Sequence, residues 1–435
     1  VTAVSRSLVA DTIAAVATAT GPAAIGIVRL SGPDAHRIAR AIAPSLPPNP
    51  EPQRFVRASF FRRDVAIDEG LVLSFVAPRS YTGEDVVELH GHGGMAVREV
   101  LGAALDAGAR AAEPGEFTQR AFLNGKLDLV QAEAVARLIG AQSERALRLA
   151  HATLGGSLSE QLASFQAEVV ALQGRIEGLL DFPAESEGAE HGLREALQQL
   201  SVRVGALAKS YSRGRRLFER ARVVLAGPVN AGKSSLLNAL AGEERALVDA
   251  EPGTTRDLVE CDLECAGMPV RLVDTAGWRE AEGVEARGIA RGRTAARAAD
   301  LTLWVVDVAH AEPSPEPDWL PVANQIDRHP DASVPAGFWA VSALTGAGLS
   351  ALWSEVGRRL GDVGDESALL VIQERQALGL QTAADALQRA AEQSEALELV
   401  AEELKWTARA LSAVLGQDAS QEVMDSVFQQ FCIGK

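Results

Sequence analysis

The stretch GPVNAGKSSLLNAL at residues 227–240 fits the phosphate-loop pattern GxxxxGKS. It lies directly after the apolar run 223–226 and before the helix-like SLLNAL, the strand, turn and helix context that the motif requires. Gly227 and Gly232 let backbone N–H groups turn inward around phosphate oxygens, Lys233 reaches the β and γ phosphates, and the Ser234 hydroxyl suits a magnesium ligand. Working outward, GTTRD at 253–257 places Thr255 to complete the magnesium shell when a γ phosphate is present. LVDTAG then reads as a buried strand ending at Asp274, able to hold magnesium through water, and leads to Gly277, whose N–H can sense the γ phosphate. A further apolar strand, LTLWVVD at 301–307, precedes NQID, which puts Asn324 and Asp327 at a base-reading position, and SALTG at 342–346 completes the pocket through backbone contacts. Segments in this order predict a guanine-nucleotide switch.

A carboxylate at Asp327 accepts hydrogen bonds from guanine N1–H and N2–H, which adenine does not offer, and left unpaired it penalises the wrong base. GTP is therefore expected over ATP. Gln325 stands where such base readers usually carry Lys, whose stem covers the base, so guanine selectivity with looser binding is expected. Hydrolysis needs a group that orients the attacking water. Small switch GTPases commonly place Gln directly after DTAG, but here that position is Trp278, which has no acceptor for the task. Glu280, Glu282 and Glu285 are the acids of the following segment, and the residues alone do not choose among them.

The chain has 435 residues, with 42 Lys and Arg against 58 Asp and Glu, a net charge of −16. That balance disfavours a broad surface held to nucleic-acid phosphates, so a partner would supply much of the grip on any RNA. Length predicts roughly two to four domains with ample core. No apolar run reaches membrane-spanning length and the first residues lack a secretory pattern, so a cytosolic protein is expected. Three cysteines, Cys261, Cys265 and Cys432, make no disulfide framework. Cys261 and Cys265 read as small apolar filler on strands between the switch segments.

Residues 1–118 mix short strands (AIGIVRLS, DEGLVLSFVAP, EDVVELHG) with helices (DAHRIARAIA, MAVREVLGAALDAG), an α/β or α+β module. Long helices with apolar residues every three to four positions follow from 127 to 217 and return from 369 to 435. The nucleotide module between them, about 221–360, reads as an insertion through one helical bundle, which nearby domain termini make tolerable. In the first module, RSYTGEDVVELHGHGG at 79–94 gathers acids and two histidines. His90 and His92, spaced by glycine with no cysteine nearby, read as turn residues more readily than as metal ligands. Glu84, Asp85 and Glu88 fit either a solvated face or a site for an anionic or pterin-like ligand.

DTIAAVATATGPAAIGIVRLSG, SYTGEDVVELHGHGG, PGEFTQRAFLNGKLDLVQAEA, the nucleotide motifs and the closing FCIGK together resemble the MnmE (TrmE) family of tRNA modification GTPases over the whole chain. The resemblance implies an α/β and α multidomain architecture: an N-terminal folate-binding and dimerising α/β domain (1–118), a discontinuous helical domain (119–217 and 363–435), and an inserted Ras-like P-loop GTPase domain (218–362). It implies a potassium-activated GTP hydrolase, working as a homodimer with an FAD-dependent MnmG (GidA) partner in a heterotetramer. The pair would install an aminomethyl-type group at carbon 5 of the wobble uridine of certain tRNAs, with a tetrahydrofolate derivative supplying the one-carbon unit.

Residue by residue, Arg29, Glu88, Lys126 and Lys435 resemble folate-site residues, and Cys432 the family's functional tail cysteine. Asn230 matches a potassium-binding asparagine, with the loop 247–254 and its Asp249, Glu251 and Thr254 closing over the ion. Glu285 best matches the water-orienting glutamate beside Lys233. Ala231, Ser235, Thr275, Ala276, Ala343 and Leu344 join the GTP contacts already named, and Ser234 and Thr255 take magnesium. Two other classes share the phosphate loop: a GTP-dependent ribosome assembly factor, which needs a basic appendage not apparent here, and a structural switch without one-carbon chemistry.

Overall fold

The computed structural model describes residues 11–19, 21–48, 55–181, 192–243, 260–274, 299–360 and 369–435. Contacts divide the chain into two compact units, one made of Val1–Ala136, Thr153–His191 and Gln393–Lys435, the other of Arg137–Ala152 and Gly192–Glu392.

In the first unit, β1 (Ile13–Val16), β2 (Gly26–Ser31), β3 (Phe55–Arg62), β4 (Val65–Phe75), β5 (Val86–Gly91) and β6 (Arg110–Ala111) form one sheet in the order β3-β4-β5-β2-β1-β6. All pairings are antiparallel except β1 with β6, so the module is α+β. Side chains alternate between the faces of a strand. Buried Val28 and Leu30 of β2 and Val87 and Leu89 of β5 share a core with Ile38 and Ile42 of the helix Ala35–Ile42 and Val97 and Val100 of Met95–Asp106. Each such buried aliphatic side chain stabilises the fold by about 1.5–3 kcal/mol. Arg29 and Glu88 are paired directly across β2 and β5 between these residues, which puts them on the opposite face. There Ile13 and Ala15 of β1 pack with Phe117 and Tyr81.

The rest of this unit is helical. Ser157–Asp181 packs along Leu397–Leu415, with Gln166 Nε2 donating to Ser412 Oγ at 3.1 Å. Gln421–Phe428 lies against Glu116–Leu123, joined by a tilted Phe122–Phe428 ring contact at 6.3 Å. Ser420 caps Gln421–Phe428 by accepting from the Val423 N–H, the hydroxyl N-cap expected of Ser.

The second unit holds β7 (Ala221–Ala226), β8 (Glu260–Cys265), β9 (Met268–Asp274), β10 (Leu301–Asp307), β11 (Leu320–Asn324) and β12 (Trp339–Ala340), ordered β12-β11-β10-β7-β9-β8. All pairs are parallel except β8 with β9. Strands covered on both faces read as unbroken apolar runs, as VVLA and LTLWVVD do. Cys261 and Cys265 are buried on β8, as filler should be. Here Leu193–Lys209 packs on Glu374–Glu392, with Ser201 Oγ donating to Ala384 O at 2.9 Å. In each unit, then, a helix from before the nucleotide module pairs with one from after it, and the two pairs fall in different units. Among the described residues no helix is long and apolar enough to cross a membrane.

Candidate functional site

The carboxyl ends of parallel strands are where an open α/β sheet binds ligands, and the predicted nucleotide residues of the second unit gather there. β7 runs into the phosphate loop and the helix Lys233–Glu243, β9 ends at Asp274, and β11 ends at Asn324. Lys233, 6% exposed, donates from Nζ to the carbonyls of Gly227 at 3.0 Å and Pro228 at 2.6 Å. Ser234 Oγ donates to Asp274 Oδ2 at 2.5 Å. A hydroxyl beside a carboxylate is the hard oxygen donor set that magnesium takes, so these two residues fit that ion.

The predicted base-reading loops are hydrogen-bonded to the phosphate loop. Asn324, 1% exposed, donates from Nδ2 to Ala231 O at 3.0 Å and Gly232 O at 3.3 Å, while its Oδ1 accepts from Ala343 N–H at 3.2 Å. Gly232, at φ +82°, has no room for a side chain, because a Cβ would meet Asn324 Nδ2 at 2.4 Å. Gln325 Nε2 donates to Asn230 O at 2.8 Å. Ser342 Oγ donates to Asp327 Oδ1 at 2.6 Å and itself accepts from Thr345 N–H at 3.0 Å, so SALTG acts through a side chain as well as its backbone. Ser235 and Leu344 are exposed. Asp249, Glu251, Thr254, Thr255, Thr275, Ala276, Gly277 and Glu285 lie outside the described residues.

In the first unit Arg29 Nε donates to Glu88 Oε1 at 2.9 Å, and its guanidinium lies over the rings of Tyr81 at 5.8 Å and Phe117 at 5.7 Å. The last residues of the sequence close on this pair: Arg29 Nη1 donates to Gly434 O at 3.3 Å, and Phe117 N–H donates to Lys435 O at 3.2 Å. Gly434, at φ +97°, passes so close to β1 that a Cβ would meet Val16 O at 2.3 Å. Phe431 is buried beneath and Cys432 is exposed. Burial pushes the Lys435 ammonium down, Arg29 adds to that, and Glu88 and Cys432 oppose it. Burial pushes Glu88 up, but Arg29 and His90 outweigh it and hold the carboxyl below its usual range. An ionised carboxylate beside aromatic rings can accept from the N–H edge of a flat heterocycle. Lys126 stands apart from this cluster in its contacts, donating to Pro78 O at 3.2 Å.

The acids of 84–88 are therefore no solvated face. Glu84 pairs with Arg120, which is itself 1% exposed and also bonded to Asp11 and Glu116, and Arg110 bridges Asp11 and Glu116 as well. Of the two histidines, His90 differs from the turn reading, while His92 leads into the turn at Gly93 and Gly94. His90 lies within β5 and bonds Glu88 at 3.0 Å, and His92 bonds Asp68 at 2.7 Å. Among the described residues no group of three or more His, Cys, Asp and Glu side chains is placed to hold a metal ion. Sequence reasoning passed over Tyr81, Phe117, Asp11 and Arg120, all of which lie inside the motifs quoted above. Alternation on β1 and β2 could have put Ile13 and Ala15 on the Arg29 face, but Tyr81 and Phe117 lie on a loop and a helix, and no local signal places their rings there.

Comparison with known proteins finds matches along nearly the whole chain. The model for the GTP-binding protein TrmE N-terminus matches residues 12–126 and that for the MnmE helical domain matches 129–432. The tRNA modification GTPase MnmE of Myxococcus xanthus is 45% identical, with 98% of this chain and 99% of that protein covered. Those of Dichelobacter nodosus and of a Thermus thermophilus strain are 42% and 43% identical over the same shares. With two family models and full-length relatives in agreement, the chain belongs to the MnmE family of tRNA modification GTPases.

Proposed function

We propose that this protein hydrolyses GTP in order to drive an aminomethyl-type modification at carbon 5 of the tRNA wobble uridine, together with an FAD-dependent MnmG-type partner. In this reading residues 1–118 bind a tetrahydrofolate derivative and dimerise, 119–217 and 363–435 form the helical arms, and 218–362 bind the nucleotide. The observation that carries it is the docking of Gly434 and Lys435 against Arg29 and Phe117, which brings the Cys432 segment to the Arg29–Glu88 pair. Glu88 would accept from the amino-pyrimidine edge of the pterin, Tyr81 and Phe117 would bound its plane, and Lys126, which follows the helix Glu116–Leu123 and rests on the 78–83 loop, would reach it. The folate supplies a one-carbon unit when bound.

In the nucleotide domain Asp327 reads guanine and Lys233 neutralises developing phosphate charge, an effect worth several kcal/mol in such sites. Ser234, Thr255 and Asp274 hold magnesium. Asn230, Asp249, Glu251 and Thr254 hold potassium, and Glu285 orients water. GTP closes two nucleotide domains of the homodimer across their switches, and hydrolysis reopens them. Mass spectrometry of tRNA nucleosides from cells lacking the protein tests the whole reading. Loss of the wobble-uridine modification, restored by the wild-type gene, is expected. Unchanged nucleosides would turn the assignment toward ribosome assembly.

A further inference from the structure

Of the five non-glycine residues with positive φ among the described residues, Asn230 at +63° and Gln325 at +65° are hydrogen-bonded to one another, one in the phosphate loop and the other in the base-reading loop. Such backbone persists only where its surroundings hold it. The Gln325 carboxamide has a fixed sense, since its Oε1 accepts from Arg328 Nη1 at 3.1 Å while its Nε2 donates to Asn230 O at 2.8 Å. A flipped amide would set donor against donor. With Asn324, whose Nδ2 serves Ala231 O and Gly232 O, the two carboxamides grip three successive phosphate-loop carbonyls. In a trans peptide the carbonyl of one residue and the N–H of the next point to opposite sides. Holding the carbonyls of 230, 231 and 232 on the base-loop side therefore turns the N–H groups of Ala231, Gly232 and Lys233 the other way, toward where a phosphate chain lies.

We propose that Gln325 is a positioning residue for the phosphates: a neutral donor that fixes the Asn230 peptide so that the phosphate loop is pre-shaped for nucleotide. The expectation that Gln325, lacking a lysine stem to cover the base, loosens binding gives way to one in which its amide nitrogen, and not the stem, is what matters. The proposal rests on the guanine-nucleotide reading of this site, and wild-type binding of GDP in preference to ADP tests that reading separately.

The discriminating variant is Gln325→Met, which keeps the length of the stem and deletes the donor. Calorimetric titration of the full chain with GDP and magnesium should show the Met and Ala variants weakened alike, by about fivefold, the fold-change of one net hydrogen bond. Gln325→Lys, which retains a donor of similar reach, should bind at least as tightly as wild type. Because the loss is felt through the phosphate cradle, the preference for GDP over GMP, measured by competition, should fall by the same factor in the Met variant. Melting of the nucleotide-free proteins checks that all variants are folded, which the surface position of Gln325 favours. Wild-type affinity in Gln325→Met, or a GDP-to-GMP preference that stays constant while both affinities fall, would overturn the proposal in favour of base cover.

Discussion

The two candidate sites are held together by opposite means. Around Arg29 and Glu88 the framework is ionic: Arg110 and Arg120 bind Asp11, Glu84 and Glu116, and the Arg120 side chain is only 2% exposed. Around the phosphate loop the cross-links between loops come from Asn324, Gln325 and Ser342, all neutral. A bare carboxylate facing a polyanion would repel it and spare cations would be drawn to the phosphates, so carboxamides hold the phosphate-loop carbonyls, and the Asp274 and Asp327 carboxylates are each engaged by a serine hydroxyl. Carboxamides and hydroxyls avoid both conflicts. A framework of buried charges, by contrast, is sound only while every member keeps its partner.

Breaking each framework at its centre should separate them most widely. Lys233→Ala removes the cation placed to face the phosphates and should slow GTP turnover by about a hundredfold or more, with the denaturant midpoint of the first unit unchanged. Arg120→Met keeps the volume but leaves Glu84 without its arginine and Asp11 and Glu116 with Arg110 alone, and should cost about 3–5 kcal/mol in urea unfolding. Gly434→Ala, strained at φ +97° and blocked by Val16 O, should cost about 1–3 kcal/mol locally, read as faster alkylation of Cys432 while GDP affinity holds.

Acid sharpens the same contrast. In Asp11 and Glu116 burial raises the carboxyl, but arginine partners outweigh it and hold both below the usual range, as Arg29 and His90 do for Glu88. A carboxyl depressed in the folded state contributes stability that is complete above its unfolded value and is lost as pH falls through the folded one. Unfolding of the first unit should therefore ease progressively below about pH 4.5. The smallest effect belongs to Glu355 on the second unit. Hydrogen bonds from Arg358 and Arg359 lower it to about 2, yet these partners lie on an exposed helix surface, so Glu355→Ala should change melting by under about 1 kcal/mol.

Much of this fold was legible in the sequence. The strands at Ala221–Ala226, Met268–Asp274 and Leu301–Asp307 are covered on both faces and cannot hide their apolar runs, and the helices between 127 and 217 show their period plainly. The candidate nucleotide residues stood out because phosphate and guanine chemistry demand particular side chains at fixed spacing. What stayed hidden was side-chain pairing between segments distant in sequence. Nothing local says that Glu84 meets Arg120, that Asn324 grips the phosphate loop rather than merely flanking the base, or that Lys126 and Arg29 have separate partners. His90 misled for the same reason: beside its glycine it looks like a turn residue, but it lies within β5 and bonds Glu88.

The pairing of helices across the nucleotide module also constrains how the chain acquires its shape. Ser201 and Ala384 are 183 positions apart, Gln166 and Ser412 are 246, and Arg29 and Gly434 are 405. On a ribosome the apolar stripes of Ser157–Asp181 and Leu193–Lys209 must wait, uncovered, while the whole nucleotide module emerges. Closure over such spans is slow and leaves sticky surface open meanwhile. Newborn chains of this protein should therefore lean on chaperones until their final helices are made.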